Sequence, residues 1–142
     1  AKLVQEGKRI ALLNFGARLQ ECKKASEVLS KKGINITIVD ARFVKPLDEK
    51  LIMEIATSHE ALITIEEGSI GGFGSHVSQL LSERGVFDNG LKFRSMILPD
   101  EFLDQDTPEK MYIKAGLSYK SIVEKVEQTL VSNIVFAKNN KN

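Results

Sequence analysis

Two adjacent carboxylates, Glu66 and Glu67, stand between the apolar run Leu62-Ile63-Thr64-Ile65 and a glycine-rich stretch, Gly68-Ser69-Ile70-Gly71-Gly72-Phe73-Gly74-Ser75. Carboxylates at a strand end can do acid–base work or hold a cation. Neighbouring residues on an extended chain point to opposite faces, however, so this pair cannot form a facing dyad. The simpler reading, which the spacing favours, gives one carboxylate to the N-terminus of the following helix, where negative charge is stabilised. The other then meets a neighbouring domain. The glycines from Gly71 to Gly74, with Ser75, could cradle a phosphate at that helix N-terminus. They lack the Gly-Lys-Ser/Thr ending of a P-loop, and the first strand–helix turn offers only Gly16 where a dinucleotide fingerprint should sit. Tight packing of helix on strand explains the glycines equally well.

The other reactive side chains are scattered. His76 falls in the first turn of the predicted helix, where the dipole disfavours its charged form. It could hydrogen-bond a ligand when neutral, or serve a surface. His59 falls near a helix C-terminus, where a positive charge is welcome. Cys22, the single cysteine, sits on an apolar helical stripe and reads as a core thiol rather than a nucleophile. No histidine–cysteine group has metal-ligand spacing. Asp100, Glu101, Asp104 and Asp106 lack the glycine and ligand order of a calcium-binding hand and read as a solvated loop. The residues alone therefore give no complete catalytic site.

Elements must position these groups. Lys2 to Gln5 reads as a short, charged edge strand stopped by Gly7. Ile10 to Leu13 is a compact apolar run suited to a central strand, and Asn14-Phe15-Gly16 is its exit turn. Leu19, Cys22, Ala25, Val28 and Leu29 recur at helical spacing, with Gly33 as the C-cap. Ile34, Ile36 and Ile38 alternate with Asn35 and Thr37, which predicts a strand near the sheet edge. Asp48 N-caps the next helix, with Leu47 stapled to Ile52 and a buried stripe of Leu51, Ile52, Ile55 and Ala56. After the carboxylates, Val77, Leu80 and Leu81 mark a helix ended by Gly85. Phe93, Met96, Ile97 and Leu98 mark a strand ended by Pro99. Thr107-Pro108-Glu109 opens a short helix that Gly116 closes. Ser118 caps the last helix, whose face is Ile122, Val123, Val126 and Leu130. Residues 1–131 read as one domain and residues 132–142 as a polar tail that frays from Lys138 to Asn142. Strands alternating with helices predict a three-layer α/β/α domain with a mostly parallel sheet of about five strands.

The 142-residue length suits a single core-bearing domain. A formal net charge of +1 gives no reason to expect nucleic acid or an anionic membrane as partner. No apolar run approaches the roughly 20 residues of a membrane span. The start at Ala1 lacks the apolar centre and cleavage site of a signal peptide. One cysteine allows no internal disulfide, and a reducing, cytoplasmic compartment is expected.

Several segments together resemble the C-terminal domain of 1-deoxy-D-xylulose-5-phosphate synthase, a thiamine-diphosphate enzyme of the transketolase family. They are Leu12-Leu13-Asn14-Phe15-Gly16, Asp40-Ala41-Arg42-Phe43-Val44-Lys45-Pro46-Leu47-Asp48, Ser58-His59-Glu60-Ala61-Leu62, Glu66-Glu67-Gly68 with Gly71 to Ser75, Leu98-Pro99-Asp100, and Gly116-Leu117. The resemblance runs from about Leu3 to Leu130. The Arg42-to-Asp48 stretch with the Glu-Glu-Gly turn marks the synthase within the wider family. Transketolases and the β subunits of 2-oxo-acid dehydrogenases share the fold and a related turn, and remain the alternative.

The resemblance implies a five-stranded mixed sheet ordered 1-3-2-4-5 with strand 1 antiparallel. It implies a switch point between the strands ending at Asn14 and Ile65, where Asn14, Gly16, Glu66, Glu67, Gly71, Gly72, Gly74, Ser75 and His76 form a candidate interdomain surface. It also implies an enzyme that condenses pyruvate with glyceraldehyde 3-phosphate, releases carbon dioxide, and feeds isoprenoid, thiamine and pyridoxal synthesis. Thiamine diphosphate and magnesium would serve that full-length, cytoplasmic, bacterial homodimer. This chain lacks the family's Gly-Asp-Gly metal motif; Asp88-Asn89-Gly90 is a superficial echo. No family catalytic residue maps onto it, so the expectation is a fragment, inactive alone and binding no cofactor. Its partners would be the enzyme's own N-terminal and middle domains. The remaining alternative is an independent anion- or nucleotide-binding module.

Overall fold

The computed structural model describes residues 1–41, 47–67, 72–98 and 119–140, apart from the side chains of Glu67, Leu98 and 132–140. The sheet is built outward from its most apolar strand. β2 (Ile10–Phe15) is buried from Ile10 to Asn14, as a strand covered on both faces must be. It pairs in parallel with β3 (Thr37–Asp40) on one side and β4 (Ala61–Glu67) on the other. β5 (Lys92–Leu98) continues the parallel ladder beside β4. β1 (Lys2–Gln5) runs antiparallel along β3. The order is β1-β3-β2-β4-β5. The charged, four-residue β1 stands at the edge, where an open ladder needs blunting.

Alternating side chains divide the core in two. Ile10, Leu12, Ile38, Ala61, Ile63, Ile65 and Met96 face α1 (Leu19–Lys31) and α4 (Tyr119–Asn140), which bring Cys22, Ala25, Leu29, Ile122, Val123 and Val126. Ala11, Leu13, Val39 and Leu62 face α2 (Glu49–Ser58) and α3 (Phe73–Glu83), which bring Ile52, Ile55, Ala56, Phe73, Val77, Leu80 and Leu81. The helical stripes read from the sequence are these buried faces. The caps follow too. Asp48 Oδ1 accepts from the Leu51 amide, and Leu47 packs in the cluster that holds Ile52. Gly33, at φ +83°, ends α1 while Lys32, Gly33 and Ile34 amides return to the Leu29 and Ser30 carbonyls.

Four boundaries differ from the sequence reading. β3 begins at Thr37 rather than at Ile34. The Asn35 carbonyl instead accepts from the Lys8 amide, and the Ile36 carbonyl from Gln5 Nε2, so this stretch anchors the β1–β2 turn. Asn14 and Phe15 extend β2, and Glu66 and Glu67 extend β4, because parallel pairing continues through Phe15–Glu66 and Glu67–Leu98. A 3-10 turn at Val86–Asn89, between left-handed Gly85 and Gly90, was not anticipated. α4 runs on to Asn140, through most of the stretch read as a tail. The acidic loop, the helix opened by Pro108 and the Ser118 cap lie outside the described residues.

Candidate functional site

At the carboxyl edge of the sheet, the connection from β2 leads to α1 on one face and the connection from β4 leads to α3 on the other. A crevice between adjacent strands arises where connections diverge in this way. The described residues named from the sequence stand at this edge, but the sheet itself separates them into two polar groups.

On the α3 face, Glu66 is 1% exposed. Its Oε1 accepts from the amides of Gly72 (2.9 Å) and Phe73 (3.1 Å), and its Oε2 accepts from the Gly74 amide. These are the free amides that open α3, so one buried carboxylate satisfies three donors and meets the positive end of the helix dipole. The helix N-terminus that could have held a phosphate already holds the chain's own anion. The glycines serve two different needs. Gly72 has φ +105°, and a Cβ there would meet only the His76 ring at 4.0 Å, an ordinary contact, so its requirement is conformational. Gly74 is the close approach: a Cβ there would lie 2.5 Å from Ser95 Oγ, 2.8 Å from Thr64 Oγ1 and 3.1 Å from Glu66 Oε2. Phe15 and Phe73 stack at 5.1 Å between ring centres and tie β2 to the start of α3. Ser75 and His76 are exposed on the first turn. Gly71 and the Glu67 side chain lie outside the described residues.

On the α1 face, Asn14 is fully buried. Its Nδ2 donates to the Gly16 carbonyl and to Asp40 Oδ1, both at 3.2 Å. Among the described residues, its Oδ1 is buried without a partner, as is Thr64 Oγ1 beneath α3. Gly16 takes φ +106° to turn the chain away. Arg18, 4% exposed, lies 3.6 Å from Glu21 at the start of α1. Beneath it, burial and the Glu21 charge push the Cys22 thiol up to about 12, which fits a core residue and not a nucleophile. Among the described residues, no three carboxylates, histidines or cysteines converge to hold a metal. This donor set does not fit a magnesium–diphosphate site.

His59 lies at the opposite, amino edge. Its Nδ1 faces the Ile55 carbonyl at 2.7 Å and so donates to it, and its Nε2 lies within hydrogen-bond distance of Thr37 Oγ1, also at 2.7 Å. Thr37 Oγ1 in turn accepts from the Gly7 amide. This chain of bonds clasps α2, β3 and the β1–β2 turn. A cleft of about 640 Å³ opens beside it, lined among others by Arg9, Glu60, Asn89 and Lys92. Arg9 Nε donates to Glu60 at 2.7 Å, which holds the Glu60 carboxyl below its ordinary range although both side chains are exposed. Sequence reasoning gives no signal for the packing of Thr64 and Ser95, and it reads Gly7 only as the stop of the first strand. Their roles depend on which strand passes over which.

The family model for the transketolase C-terminal domain matches residues 1–122. A split-gene transketolase solved as an inactive beta4 tetramer superimposes with a TM-score of 0.75 at 28% identity, covering 92% of this chain and 42% of that one. Transketolase from Campylobacter jejuni subsp. jejuni NCTC 11168 superimposes with a TM-score of 0.55 at 16% identity, covering 89% of this chain and 18% of that one. The chain thus spans less than half the length of either. No described helix is long and apolar enough to cross a membrane. Residues, sheet order and family model agree that this chain belongs to the transketolase C-terminal domain family.

Proposed function

We propose that this chain is the C-terminal domain of a 1-deoxy-D-xylulose-5-phosphate synthase, with a structural and assembly role. The Arg42-to-Asp48 stretch, combined with the Glu-Glu-Gly turn, carries that choice within the family. In the longer enzyme, thiamine diphosphate supplies the carbon chemistry and magnesium anchors it on other domains. The partners are those N-terminal and middle domains and a second copy, in the cytoplasm. β1 runs antiparallel to its neighbour, so Ala1 emerges at the carboxyl edge, 3.7 Å from Asp48. A preceding domain would be delivered to the edge that holds Asn14, Gly16 and the Glu66 cap. That supports reading this edge as the interdomain surface.

A second reading is favoured by the split-gene neighbour: the equivalent domain of a transketolase, working with a catalytic part on another polypeptide. The coding sequence and a reconstitution assay separate the readings. With thiamine diphosphate and magnesium, the chain alone is expected to give no carbon dioxide from pyruvate and glyceraldehyde 3-phosphate. Addition of the remaining domains restores that reaction in the synthase. Restoration of ketol transfer between sugar phosphates instead would favour the transketolase. Turnover by the isolated chain would overturn both.

A further inference from the structure

The 3-10 turn Val86–Asn89 leads nowhere in the function above, yet it holds the single Asn-Gly pair of the sequence, Asn89-Gly90. We propose that Asn89 is a site of spontaneous deamidation, which converts it to aspartate and isoaspartate and removes the formal net positive charge of this chain.

The chemistry needs an unhindered backbone nitrogen one residue after an asparagine. The Gly90 nitrogen attacks the Asn89 side-chain carbonyl carbon, forming an N–C bond. The C–Nδ2 bond breaks, and the Gly90 proton leaves with the departing amine as ammonia. Water then opens the five-membered imide at either carbonyl, giving aspartate or isoaspartate. No oxidant or cofactor enters.

The structure offers this site and withholds Asn14 and Asn35. Asn89 and Gly90 are both exposed, and a Cβ built on Gly90 meets nothing within 4 Å. No described residue hydrogen-bonds the Asn89 side chain. Gly90 takes φ +88°, which its missing side chain permits. One bond restrains the nucleophile, from the Gly90 amide to the Phe87 carbonyl at 3.1 Å. The turn is one short 3-10 element with left-handed glycines at both ends, so it can open locally without unfolding the sheet. Asn14, by contrast, is fully buried ahead of Phe15. Asn35 precedes the buried, β-branched Ile36.

The consequence is electrostatic. The chain carries a formal net charge of +1, which falls to zero when Asn89 becomes an acid. A protein without net charge near neutral pH is prone to self-association. The new carboxylate also arrives in the cleft lined by Arg9 and Lys92.

The test incubates the 142-residue chain in mildly alkaline buffer and maps its peptides by mass. The expected result is a one-dalton gain on the peptide containing Asn89, split into aspartyl and isoaspartyl forms, and absent in Asn89→Gln. The folded chain should deamidate within about tenfold of the rate in concentrated urea, since local opening is cheap. A gain confined to Asn139 or Asn140, an equal gain in Asn89→Gln, or a folded rate more than about a hundredfold below the denatured one would overturn the proposal.

Discussion

Glu66 shows how much one side chain can settle. Its carboxylate accepts three helix-opening amides in a buried place, and each such charged acceptor–amide bond is among the stronger ones a protein makes. Glu66→Ala leaves those donors without a partner at the start of α3. A loss of about 1–3 kcal/mol is expected in urea unfolding, with Glu66→Gln falling between the variant and the parent. Phosphate should leave the melting temperature of the parent unchanged, because the helix end is already filled by an anion. A rise in melting temperature with phosphate would revive the anion-module reading. The neighbouring carboxylate was separable on the sequence because β-strand alternation sends adjacent residues apart. Which of the two caps the helix was not, since that depends on where α3 lands.

At the scale of elements, the sequence placed every strand of the sheet, but not every boundary. Hydrophobic periodicity marks faces well and ends poorly. β3 slipped by three residues because Asn35 and Ile36 spend their carbonyls on Lys8 and Gln5 rather than on a sheet partner. Gly7 is the hinge of that arrangement. A Cβ on Gly7 would come within 2.3 Å of the Ile36 carbonyl carbon, which is backbone and cannot swing aside. Gly7→Ala should therefore displace the β1–β2 turn, breaking the Gly7–Thr37–His59 clasp, at a cost of about 3 kcal/mol or more. Gly33→Ala, by comparison, has open space and suffers only its left-handed backbone, at about 1–2 kcal/mol. Equal losses in the two variants, measured by chemical denaturation, would count against a steric role for Gly7.

For the whole molecule, pH reads out the two-layer core through Cys22. Its thiol is pushed up to about 12 from an ordinary 9.0, chiefly by burial. The folded state therefore keeps the proton between pH 9 and 12, where the unfolded chain releases it. Fewer protons on the unfolded state mean that stability is full below pH 9 and falls as pH rises above it. The slope should approach about 1.4 kcal/mol per pH unit from this residue, and Cys22→Ala should remove that component. An alkaline stability profile identical in the two proteins would show that Cys22 ionises without unfolding. The proposed place of this chain in a longer enzyme belongs to the same scale, and the family match supports it.

The sequence by itself determined the alternation of strands and helices, the buried stripes, the caps at Asp48 and Gly33, and a family whose sheet order could be stated. All of these depend on local chemistry or on a pattern carried by nearby residues. The tertiary structure decided what crosses the sheet. It put Asn14 and Glu66 on opposite faces of one edge, filled the helix N-terminus with Glu66, and made Gly74 rather than Gly72 the point of close packing against Thr64 and Ser95. Those outcomes depend on distances between residues far apart in the chain, and no local periodicity contains them.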